Sequence, residues 1–388
     1  MPSRTSSSFI IPLVLIARSV YGLNWFTMSP ALPTIAHEGG FPYWMLGLVP
    51  VAFYAATGIF QVPSGVVSKR FGPTRTYVLG LVVLSLGNML IVISPSTFWV
   101  FLTRAISGIG AALFFASAGG VILGLQPSRP GLMMGLYNVA FAIGGGFGLA
   151  WGIIQEDFGW RISMFSGGML GVLVAGVNFA AIRKIELVGR FSISDAMAQL
   201  KNPRIVEGAI AFLGTWGTYF AAGQLLPAYL QLELKTSISA SGIESTPLLL
   251  ASIVGGLATV VYDRVSRKKL LLFTVGILSI FPATFFGFQS SQIVISSLLV
   301  LGFFNEMSIS VLYAYVHNID PMNATASLAV VNTIQILLGM WVLPLLSIVA
   351  SLYSWPMGWV AVGTIPLIPL VLLINAKISE QKTKPLIS

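Results

Sequence analysis

Long apolar segments follow one another through this chain, with only short polar breaks between them. A helix of ~20 apolar residues, rising ~1.5 Å per residue, spans the ~30 Å hydrocarbon core of a bilayer. Hydrophobic residues make up 56% of the chain and charged residues only 9%, unlike the composition of a soluble domain. We therefore expect an all-α polytopic membrane protein embedded in the lipid bilayer. Twelve transmembrane helices are predicted, at about residues 9–33, 43–67, 74–93, 98–125, 132–154, 162–182, 205–230, 246–262, 270–288, 293–316, 324–352 and 357–374.

The second half of the chain repeats special residues of the first at a constant offset of 194, half of the 388 residues. The repeated residues are mainly proline, glycine and asparagine, whose backbone or burial demands are unusual. The matching pairs include Leu32-Pro33 with Leu226-Pro227, Gly108 with Gly302, Pro127 with Pro321, Asn138 with Asn332 and Gly145 with Gly339. Parallel repeats of several membrane helices are typical of transporters.

The repeat predicts two pseudo-symmetric six-helix bundles. They cover residues 1–182 and 205–388, and a basic cytoplasmic linker at 183–204 joins them. Residues 194–200 of the linker are expected to form a short amphipathic helix on the membrane surface.

Charged residues divide unequally between the two sides of this arrangement. With both termini in the cytoplasm, the cytoplasmic side receives nearly all the lysines and arginines, and the other side receives only Arg161 and Lys235 beside several acidic residues. Cytoplasmic loops of membrane proteins carry an excess of Lys and Arg. The pattern therefore predicts a multi-pass protein of the cytoplasmic membrane with cytoplasmic N- and C-termini.

The chain has no cysteine and only two isolated histidines, His37 and His317. Disulfides, thiol catalysis and a thiolate or histidine metal centre are therefore excluded, and we expect neither a metal nor a cofactor. The formal net charge of +9 is spread over short loops rather than gathered on one face, which argues against a nucleic-acid partner. The expected partner is a small-molecule substrate, handled by a monomer.

Two loops of similar build carry the first motif. Residues 65–75 read Gly-Val-Val-Ser-Lys-Arg-Phe-Gly-Pro-Thr-Arg, and residues 259–269 occupy the equivalent place in the second half. Residues 104–111, Arg-Ala-Ile-Ser-Gly-Ile-Gly-Ala, and the tripeptide at 159–161, Gly-Trp-Arg, add two more. With these motifs in this order, the chain resembles the major facilitator superfamily along essentially its whole length. The resemblance implies two six-helix bundles around a central site, working by alternating access.

The resemblance also implies a cytoplasmic gate formed by the two loops and the start of helix eleven. Lys69 stands where the family has an acid, whereas the second loop keeps Asp263. The N-terminus of a helix repels a cation, so we predict that Lys69 pairs instead with Asp320, just before helix eleven. The alternative is that Lys69 is one more cytoplasmic cation. The predicted gate residues are Gly65, Lys69, Arg70, Gly72, Arg75, Asp263, Arg264 and Asp320.

Three ionisable residues lie within predicted helices, where a charge is costly unless it faces a partner or a water-filled cavity. They are Arg18 in helix one, Arg104 in helix four and Glu306 in helix ten. The superfamily lines its central cavity with helices one, four, seven and ten, so the resemblance implies contact with substrate or protons, and we assign proton coupling to Glu306. Arg18 and Glu306 lie at comparable depth, which makes a salt bridge between them feasible. Each arginine could instead serve packing, and Glu306 could simply neutralise an arginine.

Polar and aromatic side chains on the same helices complete the predicted substrate site. Spacings of three and four residues put Arg18, Tyr21 and Trp25 on one face of helix one. Aromatic residues at such spacing also occur in ordinary packing, and the two equivalent asparagines of helices five and eleven could serve bonds between helices. The predicted substrate-binding residues are Arg18, Tyr21, Asn24, Trp25, Arg104, Asn138, Trp216, Tyr219, Gln224, Asn305 and Asn332.

Two arginines against one acid in the predicted cavity favour a small organic or inorganic anion as substrate. We predict a proton-coupled secondary transporter. A proton-driven exporter of drugs or lipophilic cations is the alternative, although residues 144–148 lack the Gly-Pro pair of the family's antiporter motif. The alternative from another class is an enzyme acting on lipid-linked substrates, but the chain has no HExxH, no GxSxG and no clustered carboxylates, so we expect no enzyme.

Overall fold

The computed structural model describes residues 4–126, 130–182, 193–257, 265, 267–288, 290–320 and 324–375. The first helices are α1 (Arg4–Phe26), α2 (Met28–Gly39), α3 (Leu48–Phe71), α4 (Pro73–Leu90), α5 (Thr97–Leu125), α6 (Pro130–Ala150), α7 (Gly152–Phe158) and α8 (Trp160–Ile182). They are followed by α9 (Ile193–Gln199), α10 (Pro203–Ala211), α11 (Leu213–Leu232), α12 (Ile238–Ser245), α13 (Pro247–Leu257), α14 (Lys268–Leu278), α15 (Ser291–Ile319), α16 (Ala324–Gly339), α17 (Val342–Leu352), α18 (Trp355–Thr364) and α19 (Leu372–Asn375). Short 3-10 helices lie at Tyr43–Met45, Ile91–Ile93, Phe281–Gly287 and Ile365–Val371. The described residues contain no β-strand, so the predicted all-α fold is confirmed.

Eleven segments of the described chain are long and apolar enough to cross a membrane. The remaining predicted crossing, at 205–230, is covered by α10 and α11, which meet at Phe212. Helix α11 carries polar groups such as Thr218 and Gln224, and every residue from Gly214 to Leu230 is buried. Because other helices enclose α11, it can carry polar side chains that a lipid-facing helix would not tolerate. The predicted count of twelve crossings is therefore roughly met.

Several crossings are interrupted, and two causes can be named. The first crossing changes from α1 to α2 at Thr27, whose carbonyl oxygen accepts a hydrogen bond of 2.9 Å from the side chain of Gln155. Proline explains the 3-10 segments Phe281–Gly287 and Ile365–Val371, which both have a proline at their start. Proline has no backbone N–H and clashes with the preceding turn, so it interrupts an α-helix.

Helices α1 and α6 pack closely against each other in the first half, along a row of glycines. A Cβ atom added at Gly144 would collide with the carbonyl oxygen of Ser19, and one added at Gly22 would lie 2.5 Å from the carbonyl oxygen of Phe141. Small residues let membrane helices approach until their backbones touch. The same half is completed by α3, α4 and α5, which pack on one another, and by α8 against α1 and α4. This packing fixes Arg18 of α1 beside α6.

The later helices form their own contacts, chiefly α13 with α15, α11 with α16, and α17 with α18. They meet the first set where α3 contacts α16 and where α6 contacts α13. The predicted linker helix is present as α9, but it packs against α3 and α16, and its Ala196 and Gln199 are buried. The helix thus contacts one helix of each set, and its expected position on the membrane surface stays a prediction. Residues 183–192 of the linker lie outside the described residues, and the division of the chain into 1–182 and 205–388 stays a prediction.

Candidate functional site

The two sets of helices are joined by hydrogen bonds at the end of the molecule that carries Glu38 and Glu156, here called the acidic end. The Ser29 hydroxyl donates to Gln224 Oε1 at 2.9 Å, and Gln224 Nε2 donates to the carbonyl oxygen of Trp25 at 2.9 Å. Nearby, Gln231 Nε2 donates to the carbonyl oxygen of Pro30 at 2.9 Å. Helices α1 and α2 are thus tied to α11 along this side.

Further bonds close the acidic end at two other places. The Ser347 hydroxyl donates to the carbonyl oxygen of Trp44 at 2.7 Å and accepts from the N–H of Gly47 at 3.1 Å. The Ser239 N–H, in the first turn of α12, donates to Glu156 Oε2 at 2.7 Å. Because these bonds join opposite sets, the acidic end is closed in this conformation.

Arg18 lies in an aromatic enclosure formed by α1, α5 and α6. Its guanidinium carbon is 4.1 Å from the ring centre of Tyr137, 4.6 Å from that of Phe141, 4.7 Å from that of Tyr21 and 5.2 Å from that of Phe115. Its Nε donates to the carbonyl oxygen of Tyr137 at 3.4 Å, while its buried Nη1 has no hydrogen-bond partner. A cation–π contact that is shielded from water is worth ~2 kcal/mol or more. The rings therefore stabilise the cation without neutralising its charge.

Glu306 lies across from this enclosure on α15 and is half-buried. Its Oε1 accepts a hydrogen bond of 3.2 Å from Asn138 Nδ2 on α6. Arg18 is near enough to act on Glu306 electrostatically, but no ion pair joins these two described residues. The structure therefore brings Arg18, Asn138 and Glu306 together, without the direct salt bridge that their depths made feasible.

Arg104 occupies a different polar cluster, built from α1, α4 and α5. Its Nη1 donates to Asn88 Oδ1 at 3.1 Å, and Asn88 Nδ2 donates to Asn24 Oδ1 at 2.8 Å. The Ser107 hydroxyl also donates to Asn88 Oδ1, at 3.2 Å. Asn88 was missed by the sequence analysis, although it is a strongly polar residue within the apolar run 74–93. Asn24 bonds inside the first set, to the carbonyl oxygens of Val20 and Gly167.

Aromatic rings fill the space between the two arginines. Trp25 lies 5.5 Å from the ring centre of Tyr21, 4.8 Å from that of Phe53 and 5.5 Å from that of Tyr54. From the second set, Trp216 packs edge-on against Tyr54 at 4.9 Å. Tyr21, Trp25 and Trp216 were predicted from the sequence as site residues, whereas Phe53 and Tyr54 of α3 were not.

Three other predicted site residues, Tyr219, Asn305 and Asn332, belong to the second set of helices. The Tyr219 hydroxyl is 3.0 Å from that of Ser252, so its bond stays within the second set. Asn305 is 1% exposed and its Oδ1 has no hydrogen-bond partner, whereas Asn332 is half-buried on α16. Their roles in substrate binding stay predictions.

The predicted gate lies at the opposite end, called here the basic end because Lys69, Arg70 and Arg75 are exposed there. Helix α3 ends at Phe71 and α4 starts at Pro73, with Gly72 between them at a φ of 84°, a conformation that favours glycine. The buried Gly65 lies two turns earlier in α3. Asp263 and Arg264 lie outside the described residues.

Asp320 follows α15 at the basic end. Its carboxylate accepts a hydrogen bond of 2.9 Å from Gln199 Nε2 on α9. The linker helix thus reaches the residue that was expected to pair with Lys69. The pair itself stays a prediction.

Comparison with known families decides what this architecture is. A family model described as Major Facilitator Superfamily matches residues 14–337. The chain belongs to this superfamily. The loop motif at 65–75 and the helical motif at 104–111, with the Arg104 cluster, fall inside the matched region.

Solved superfamily structures agree in fold. A bacterial homolog of the human lysosomal transporter Spinster, inward-facing and unoccupied, superposes with a TM-score of 0.73 at 14% identity, over 97% of this chain and 96% of that one. The nucleoside transporter NupG superposes with a TM-score of 0.78 at 12% identity, over 95% of this chain and 100% of that one. At such low identities the likeness shows the fold alone.

Curated relatives within the superfamily align over shorter regions. The multidrug efflux protein YfmO of Bacillus subtilis is 27% identical over 194 residues, which are 50% of this chain and 49% of that protein. The puromycin resistance protein pur8 of Streptomyces alboniger is 26% identical over 164 residues, which are 42% of this chain and 33% of that protein. The chain thus spans half or less of the length of the curated relatives it matches.

Proposed function

We propose that this superfamily member is a secondary active transporter that carries a small organic anion by alternating access and couples its movement to protons. The observation that supports this proposal most directly is the environment of the Arg18 side chain. This side chain is 4% exposed, touches four aromatic rings, and forms no ion pair with the described acidic residues. Removing an unpaired charge from water is costly. An anionic substrate would supply the missing counter-charge, and the rings suit an organic one.

Glu306 supports coupling to protons. When its carboxyl is ionised, its negative charge offsets part of the positive charge of Arg18 nearby. When it is protonated, Arg18 is left as an unbalanced cation. An anion would therefore bind best once Glu306 holds a proton, and both would leave when the carboxyl ionises again. This order describes symport of one proton with one anion.

The orientation that fits this proposal places the basic end in the cytoplasm of a cell and the acidic end outside, by the distribution of Lys and Arg. The hydrogen bonds of Gln224, Gln231 and Ser347 would then close the outer end. Substrate would enter from outside only after these bonds break. One chain is sufficient for this cycle, so we propose a monomer.

Export of drugs or other lipophilic compounds is the second candidate. The rings of Trp25, Phe53, Tyr54 and Trp216 form one continuous cluster between the halves, which suits apolar molecules. The functions named for YfmO and pur8, multidrug efflux and puromycin resistance, also favour it. In this case Glu306 would hold either the proton or a cationic drug.

A thermal-shift screen of the purified protein separates the two candidates, because a bound ligand raises apparent stability by mass action. Carboxylates and sulfonates are compared with lipophilic cations, and the best binder is then followed into proteoliposomes. Uptake that depends on a pH gradient supports coupling, whereas product formation without a sealed compartment would indicate an enzyme.

Arg18 variants test the anion site itself. Arg18→Ala should weaken anion binding at least ~10-fold, or ~1.4 kcal/mol, and Arg18→Lys should keep part of the affinity because it keeps the charge. The matched control is Arg204→Ala, which removes an exposed arginine of α10. Unchanged anion affinity in a folded Arg18→Ala protein would refute the proposal.

A further inference from the structure

We propose that Arg104 forms a second anion-binding subsite, nearer the acidic end than Arg18, which the substrate occupies before or after it meets Arg18. This inference rests on the proposed anion transport. It separates two arginines that the sequence analysis placed in one site.

The two arginines have separate surroundings. Arg18 contacts the rings around α6, whereas Arg104 stacks on Phe53 at 4.5 Å and bonds to Asn88. Trp25 lies between them, two helical turns or ~10 Å beyond Arg18 along the first crossing, and its ring packs on Phe53. Among the described residues, the rings that contact Arg18 and the ring that contacts Arg104 are different, and the two arginines donate hydrogen bonds to different residues. One small anion could therefore not bridge the two without displacing these rings.

The buried guanidinium of Arg104 has a free donor and an unbalanced charge that a ligand could satisfy. It is 1% exposed, and its Nε has no hydrogen-bond partner. Its Nη1 donates to Asn88, a neutral amide, and no ion pair involves Arg104 within the described chain. A buried donor left unpaired costs ~1–3 kcal/mol, and more if it is charged. A carboxylate or sulfonate would satisfy both the donor and the charge.

A closed cleft, too narrow to hold a water molecule in this conformation, lies beside Arg104 at the boundary between the two sets of helices. It is lined by Ser29 and Leu32 of α2, Val49 of α3 and Gln224 of α11, among others. The Ser29–Gln224 and Gln224–Trp25 hydrogen bonds seal it in this conformation. When the acidic end opens, these bonds must break. The opening would bring Arg104 into contact with solvent and free the Gln224 amide to donate to the same anion.

The arrangement predicts a relay between two subsites. With the acidic end open, the anion would bind at Arg104 while the aromatic cluster still covers Arg18. With the acidic end closed, Gln224 returns to the Trp25 carbonyl and the cleft narrows, so the anion would be transferred to Arg18. Among the described residues Arg104 has no acidic partner comparable with Glu306, so the first subsite needs no proton to bind an anion.

Cysteine chemistry can test the subsite without a known substrate, because the chain has no cysteine of its own. Leu32→Cys places one thiol in the cleft. Its rates of modification by the anionic 2-sulfonatoethyl and the cationic 2-(trimethylammonium)ethyl methanethiosulfonates are measured on purified protein. A cation in a desolvated cleft concentrates anions, so Arg104→Gln should lower the anionic-to-cationic rate ratio ~10-fold. Arg104→Lys should keep the ratio, and so should the matched control Arg18→Gln.

Two results would overturn the subsite: a rate ratio that Arg104→Gln leaves unchanged, or a thiol at position 32 that neither reagent modifies. A fall in the ratio with Arg18→Gln equal to that with Arg104→Gln would merge the two sites into one. The proposed function fails separately, if no anion is taken up by proteoliposomes while the ratio still depends on Arg104.

Discussion

Asn138 on α6 donates a hydrogen bond of 3.2 Å to Glu306 on α15, and this bond links the two sets of helices beside Arg18. The acceptor is the carboxyl group that we propose to carry the proton. A neutral carboxyl is a weaker acceptor than a carboxylate, because charge-assisted hydrogen bonds are roughly twice as strong as neutral ones. Protonation of Glu306 would therefore loosen a contact between the halves at the same time as it exposes the charge of Arg18.

Glu306→Gln should separate proton coupling from substrate movement. The amide keeps the size of the carboxyl and can still accept from Asn138, but it cannot release a proton. Exchange of labelled anion across proteoliposomes should persist, while accumulation driven by a pH gradient should be lost. The matched control, Glu207→Gln, removes an exposed carboxyl of α10 and should behave as the unchanged protein. Accumulation by Glu306→Gln equal to that of the control would show that Glu306 carries no coupled proton.

Gly144→Ala should destabilise the first set of helices. The added methyl would collide with the carbonyl oxygen of Ser19, a backbone atom that cannot rotate away. Overpacking of this kind costs ~1–3 kcal/mol, so the midpoint of thermal unfolding in detergent should fall by several degrees. Gly146→Ala is the control, since its Cβ would meet no atom within 4 Å. Equal midpoints for the two variants would contradict the close α1–α6 contact.

Ser347→Ala should favour opening of the acidic end. It removes the bonds to the Trp44 carbonyl and the Gly47 N–H, each worth ~1 kcal/mol net. Spin labels on Asp157→Cys and Tyr353→Cys report the separation of the halves, because both positions are exposed and the chain has no other cysteine. The long-distance population should rise ~5–30-fold. Ser351→Ala, one turn further along α17, is the control, and a shift as large as that of Ser347→Ala would refute the role of these bonds.

The predicted Lys69–Asp320 pair can be tested by exchanging the charges. Lys69→Asp and Asp320→Lys should each shift the opening of the basic end, and the double exchange should restore it. Partly exposed pairs are worth ~0–1 kcal/mol, so the shifts should be small and the restoration is the informative result. Gln199→Ala measures the contribution of the bond already made to Asp320. Simple addition of the two single effects would show that no latch exists.

The transmembrane helices and the neighbours of Arg18 on its own helix could be predicted from the sequence. Runs of apolar residues fix the crossings, and helical spacing places Arg18, Tyr21 and Trp25 together, as the ring distances of 4.7 Å and 5.5 Å confirm. The surroundings of Arg104 were not predictable in the same way. Its contact with Asn88 depends on which helices are neighbours, and a residue alone in an apolar run does not reveal the helix it faces.

Hydrogen bonds from side chains to backbone carbonyls could not be predicted from the sequence either. Arg18 bonds to the carbonyl of Tyr137, and Gln224 bonds to that of Trp25. Every residue offers a carbonyl, so no residue type marks these acceptors. The contacts of the linker helix with α3 and α16 were not predictable for a related reason, because an apolar helix face matches a lipid surface and a gap between helices equally well.

The bonds that close the acidic end through Gln224, Gln231 and Ser347 join neutral amides, hydroxyls and carbonyls. Dissolved salt screens interactions between charges over ~8 Å at physiological ionic strength. It has little effect on short hydrogen bonds between neutral groups. The exposed lysine and arginine side chains of the basic end have no such protection. A change in ionic strength would therefore act more on the exposed charges of the basic end than on these neutral bonds, and at the acidic end it would reach mainly the bond from Ser239 to the Glu156 carboxylate.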